Sequence, residues 1–133
     1  MNRQFAMSVG AIFVMAFALG FLVHGVLLYG EYMMLPNLMR PMADANARMP
    51  LMAVAYASFA VAFTWIYLKG RESKPWLAQG ARYGFAIALL TVVPMYLIYH
   101  VVSPYPFSLA IKQIVFEGIA MVLLGIALAW LNR

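Results

Sequence analysis

A single carboxylate, Glu117, stands inside an apolar stretch near the end of this chain. An ionisable group in such surroundings is costly and is retained for a partner or a function. His24, Tyr56 and Tyr96 are polar side chains set in other apolar stretches, and Gln113 lies one helical turn before Glu117. A histidine touching a carboxylate can share a proton, hold a metal ion or hydrogen-bond a ligand head group. Two phenols and an amide can complete such a network. Lys112 is a poor partner for Glu117, because five helical residues carry it about 140° round the helix, from where it can reach water. His24 is the better partner. The same residues also have a plainer reading, as interhelical glue that locks a bundle.

The elements that must position these groups are four apolar runs at residues 5–29, 51–68, 83–102 and 109–131. Each is near the roughly 20 residues a helix needs to cross a bilayer. Hydrophobic residues make up 66% of the chain and charged ones 10%, against about half and a quarter in soluble proteins. The fold class is therefore an all-α, four-helix transmembrane bundle, one domain over residues 1–133, with the third helix extended back to Pro75. Ser73 is a possible cap for that helix, and Pro94 should bend it by freeing the carbonyl of Leu90. Ala16, Gly20 and His24 recur at four-residue spacing on helix 1, as small residues do where helices approach closely. Ala53, Ala57 and Ala60 repeat this small-residue device on helix 2, beside Tyr56 and Thr64, and Gly118 and Gly125 lie a heptad apart on helix 4.

Depth along the helices connects the polar groups. By the helical rise, Glu117 lies ~12 Å, His24 ~7 Å, Tyr56 ~8 Å and Tyr96 ~9 Å below the same end of the bundle. Every helix thus brings one polar side chain to one layer. Charge orients that layer. Arg3, Lys69, Arg71, Lys74, Arg82 and Arg133 fall on the side of the termini, whereas Arg40, Arg48 and Lys112 share the other side with Glu31 and Asp44. The excess predicts cytoplasmic termini and an outer-leaflet polar layer, and Trp65, Trp76 and Trp130 form an interfacial belt at the cytoplasmic ends. A net charge of +5 is thereby explained by topology rather than by nucleic acid. The basic start Asn2-Arg3-Gln4 resembles a secretory leader, but the apolar run is too long and no A-x-A site follows, so it reads as a retained helix.

The long connection at 30–50 is broken by Pro36 and Pro41, and residues 41–49 could form a short interfacial helix over the outer mouth, with Met42, Ala45 and Met49 on one side. Its methionines raise a metal reading, since thioether sulfur suits Cu(I). Met39, Met42 and His24 would be the ligands. Methionine as an adaptable apolar surface is the blander account. His24 with His100 could instead ligate haem b, although no covalent attachment motif exists and the chain has no cysteine. P-loop, dinucleotide, zincin and nucleophile-elbow motifs are all missing.

The segments His24-Gly25-Val26-Leu27-Leu28 and Lys112-Gln113-Ile114-Val115-Phe116-Glu117, with the hydropathy of the whole chain, resemble small four-helix bacterial inner-membrane proteins of unknown function. The resemblance implies the architecture and the compartment, a multi-pass inner-membrane protein, and carries over no catalytic residue. The leading expectation is a non-enzymatic accessory or assembly subunit, embedded in lipid and forming a homo-oligomer or part of a larger complex. The alternative is a bundle that binds haem, copper, a quinone or a lipid at the His/Glu/Tyr layer.

Overall fold

The computed structural model describes residues 2–133, and these are 83% helical with no strand among them. Four spans are long and apolar enough to cross a membrane: residues Arg3–Leu27, Met49–Gly70, Trp76–Val102 and Phe107–Leu131. The chain is a small multi-pass membrane protein. Four crossings bring both termini to one end of the bundle, where Gln4 donates to the Leu131 carbonyl and Asn132 donates to Ser8 Oγ. That end is here the termini end, and its opposite the loop end.

The first span is α1 (Arg3–Gly20), capped by the Asn2 side chain, followed by a π-helical segment, Phe21–Leu27, that contains His24. Regular helix was the expectation through residue 29. Instead Leu28 N–H bonds back five residues to Val23, and such wide turns often mark functional positions. The loop that follows is folded, with α2 (Tyr29–Met33) and α3 (Met42–Ala47) flanking its prolines. The short helix expected at 41–49 is α3, and Arg48 separates it from the second span, α4 (Met49–Gly70).

The third span is two helices, α5 (Trp76–Leu90) and α6 (Val92–Val102), interrupted at Thr91. Pro94 supplies the cause, since its nitrogen cannot bond the Leu90 carbonyl. Ser73 does not cap α5: Pro75 occupies the cap position and no side chain bonds the first turn there. The last span, α7 (Phe107–Leu131), is central and packs on α5, α6 and α1.

The α5–α7 contact is the closest in the bundle. A Cβ on Gly80 would stand 2.6 Å from the Gly125 carbonyl oxygen, and one on Gly84 would stand 2.2 Å from that of Met121. Gly80 and Gly84 form a G-x-x-x-G pair, the spacing that lets helix backbones touch in membranes. Only Gly125 of the two α7 glycines serves this contact. Gly118 has open space where its Cβ would be and borders an apolar surface groove. In the termini half, Ile12 and Ala16 of α1, Ala60 and Phe63 of α4, and Leu124 and Leu128 of α7 form one core. Ala57 is exposed, so the alanine face of α4 is only partly used.

Candidate functional site

The loop half of the bundle holds the polar layer. His24 Nε2 hydrogen-bonds the Glu117 carboxylate, joining the first and last spans across 93 positions. The other ring nitrogen, Nδ1, lies 2.6 Å from the hydroxyl of Tyr32 on α2, and Gln113 Nε2 donates to that hydroxyl at 3.1 Å. Gln113 is buried, and Tyr32 packs with the small core of Val23, Leu28 and Leu109.

These contacts have a consistent direction. With Gln113 donating to Tyr32, the phenol hydrogen is free to go to Nδ1 of His24. The imidazole proton then sits on Nε2 and donates to Glu117, the tautomer that a carboxylate neighbour favours. The Tyr96 hydroxyl is 3.5 Å from the same Nε2. A protonated Nε2 cannot accept, so the Tyr96 hydrogen is left for the carboxylate, which accepts at several lone pairs. The result is a relay, Gln113 to Tyr32 to His24 to Glu117, supported from α6 by Tyr96. Burial raises the Tyr32 phenol above its ordinary pKa, opposed by the Gln113 hydrogen bond and reinforced by the Glu117 charge.

The pair is not sealed in protein. The His24 side chain keeps 32% of its exposure and Glu117 keeps 18%. Glu117 lines a cavity of about 200 Å³ walled by Ala16, Leu19 and Val23 of the first span, Ala55 and Phe59 of α4, and Met121 of α7. His24 lines a second, of about 460 Å³, with Phe21, Tyr29, Met42, Met49 and Met52. Gly20 and Tyr56 border both cavities. The Tyr56 hydroxyl takes the space a Cβ on Gly20 would need, coming within 1.8 Å of that position.

The sequence-derived residues are therefore placed unequally. His24, Gln113, Glu117 and Tyr96 meet in one network. Tyr56 stands beside it as a cavity wall and makes no hydrogen bond among the described residues. His100 is separate: its Nδ1 donates to the Tyr105 carbonyl at 2.7 Å, and it lines a polar pocket of about 100 Å³ with Tyr99, Tyr96 and Gln113. Imidazole ligation by His24 would require giving up either Tyr32 or Glu117. Met42 reaches the His24 cavity, but Met39 is not among the residues that border it; Met49 and Met52 are. No group of three His, Asp or Glu side chains suited to a metal ion is present among the described residues.

Sequence reasoning missed Tyr32. Its only signal was a phenol eight residues beyond His24, at the start of a loop whose fold the periodicity does not predict. Lys112 reaches Glu31 across the loop end in an ion pair, which disposes of the one cation that is near Glu117 in sequence.

Comparison with known proteins returns no matching family model, no matching curated protein and no matching solved structure.

Proposed function

We propose that this multi-pass protein resides in a bacterial inner membrane with its termini in the cytoplasm, and that its His24–Glu117 pair binds the polar head of a lipid-soluble molecule. The single observation that carries this reading is that the two members of a hydrogen-bonded pair within the membrane spans each line an apolar cavity. A pair serving only to lock helices is best packed shut, because water or open space beside it weakens the contact. Here both partners remain reachable. The walls are apolar and the polar groups few, which is the usual make-up of a small-molecule site.

The chemistry selects the ligand class. The Tyr56 phenol, which borders both cavities and makes no hydrogen bond among the described residues, can donate, the carboxylate beside His24 can accept, and most of the remaining wall is hydrocarbon or thioether. A ring or chain compound with a carbonyl or hydroxyl head, as in quinones, fits that combination. Solvent extraction of the purified protein followed by mass spectrometry should recover such a molecule in stoichiometric amount from the native chain and not from His24→Ala or Glu117→Gln. An empty extract from all three would defeat the proposal. An absorption spectrum and metal analysis of the same sample decide against it in another way: a Soret band or stoichiometric copper would assign the site to haem or Cu(I).

An accessory role is favoured by a different feature. The groove between α5, α6 and α7, about 360 Å³ and lined by Ala88, Val93, Gly118 and Val122, is almost wholly apolar and would admit a neighbouring helix. Native mass spectrometry of the gently solubilised protein tests this, with a strictly solitary monomer counting against it.

A further inference from the structure

The loop end and the termini end differ in how their cations are used. At the loop end Arg40 and Arg48 both pair with Asp44, and Lys112 pairs with Glu31. At the termini end a cavity of about 330 Å³ is lined by Arg71, Lys74 and Arg133, with Glu72 its one acidic side chain. Lys74 pairs with Glu72 and holds that exposed carboxyl below its usual pKa. The two guanidinium groups have no carboxylate partner among the described residues.

Both are held in place by the fold. Arg71 spends one N–H on the Asn132 carbonyl at 2.6 Å, and Asn132 is itself buried and anchored to Ser8 and the Leu128 carbonyl. A guanidinium has five donors, so four remain. Arg133 lies over the rings of Trp130 at 5.3 Å and Trp76 at 6.0 Å, as cations favour aromatic faces. The loop between α4 and α5 is clamped by Gln79, whose amide accepts from Glu72 N–H at 2.6 Å and donates to the Glu72 carbonyl at 3.1 Å. Tyr67, Trp76 and Ala129 complete the cavity with apolar surface.

Height adds the second constraint. The cavity sits where α4 ends at Gly70, α5 begins at Trp76 and α7 ends at Leu131, which is the boundary between hydrocarbon and head groups. We infer that this cavity is a binding site for the phosphate of an anionic phospholipid, held by the Arg71 and Arg133 guanidinium groups while its glycerol and upper acyl carbons lie on Tyr67 and Trp76. Guanidinium forks match phosphate oxygens in geometry, and basic pockets between helix ends are a recurring lipid-head-group site. The inference is independent of the ligand proposed for His24 and Glu117, at the other end of the bundle.

Native mass spectrometry of the full chain in detergent, with phosphatidylglycerol or phosphatidylcholine of identical acyl chains, tests it. The native protein should retain phosphatidylglycerol preferentially. Arg133→Gln should weaken that retention about fivefold, the effect of one cation at a membrane surface. Arg71→Lys, which preserves charge and removes the fork, should weaken it less, and Arg40→Gln at the loop end should change nothing. Equal retention of the two lipids, or an Arg133→Gln protein that binds as the native one does, would overturn the assignment. Displacement of the lipid by millimolar inorganic phosphate would overturn it too, by making a soluble anion the occupant.

Discussion

The hydroxyl of Tyr32 lies 2.6 Å from Nδ1 of His24, so a loop residue completes a site whose other members belong to membrane spans. Replacing Tyr32 by phenylalanine leaves both that nitrogen and the Gln113 amide without a partner. Such a loss in a largely buried setting costs about 1–3 kcal/mol. Denaturation in detergent should register it, while Tyr29→Phe, at an exposed phenol one residue into α2, should have no such effect.

Alkali should act through the same phenol. Its folded pKa is raised above the ordinary 10.0, so the neutral form is the one folding favours. The stability this contributes is complete below pH 10.0 and is lost as pH rises through the higher folded value. Stability measured against pH should decline across that alkaline window in the native chain and decline less in Tyr32→Phe. A phenolate absorbance titration that assigns Tyr32 the pKa of a free tyrosine would contradict this.

His24 and Glu117 should be energetically coupled. Glu117→Gln keeps shape and removes charge, and His24→Ala removes the partner. In a double-mutant cycle the interaction energy should reach at least ~0.6 kcal/mol, the average for interhelical hydrogen bonds in membranes. Additive effects would mean that the two groups do not share a network.

Glycine positions should separate sharply. Gly84→Ala and Gly125→Ala each drive a methyl group into backbone on the facing helix, so each should destabilise by about 1–3 kcal/mol, as overpacking does. Gly118→Ala meets open space and should be neutral, or stabilising by up to about 1 kcal/mol through helix propensity. Equal losses at all three would place the α5–α7 contact elsewhere.

Orientation can be read with single cysteines in this cysteine-free chain. Cysteine at Asp44 or Ser103 should react with an impermeant reagent in intact cells, and cysteine at Ser73 should not. The opposite pattern would invert the proposed topology.

The spans were legible because crossing a bilayer imposes length and hydropathy on every one of them. The second and fourth begin two residues earlier than their apolar runs, at Met49 and Phe107, since proline and loop residues can enter the first turn. Depth alone put His24 and Glu117 at one level, and in the structure they touch. The rest depended on partners. Gly80 and Gly84 are visible as a spaced pair, but only Gly125 and Met121 opposite show that backbones meet there. Ser73 looked like a cap because serine can be one, yet Pro75 takes the position. Tyr32 depends on how the loop returns over the bundle, which no periodicity encodes.

The π-helical segment at Phe21–Leu27 makes the relay sensitive to the number of residues as well as to their identity. A helix that bonds five residues back accommodates an extra residue relative to an α-helical path, with little change in what the bilayer sees. Deleting Gly25 would let the ordinary ladder close, and the span would still be long enough to cross. The residues on either side would keep their places, Leu28 in its buried seat and Tyr32 on α2, because the extra residue is what the wide turns absorb. The change would fall on His24, which stands inside the widened segment and would be re-aimed relative to Tyr32 and Glu117. Loss of one codon would thus spare membrane insertion and the fold of the loop while disturbing the relay at its middle member.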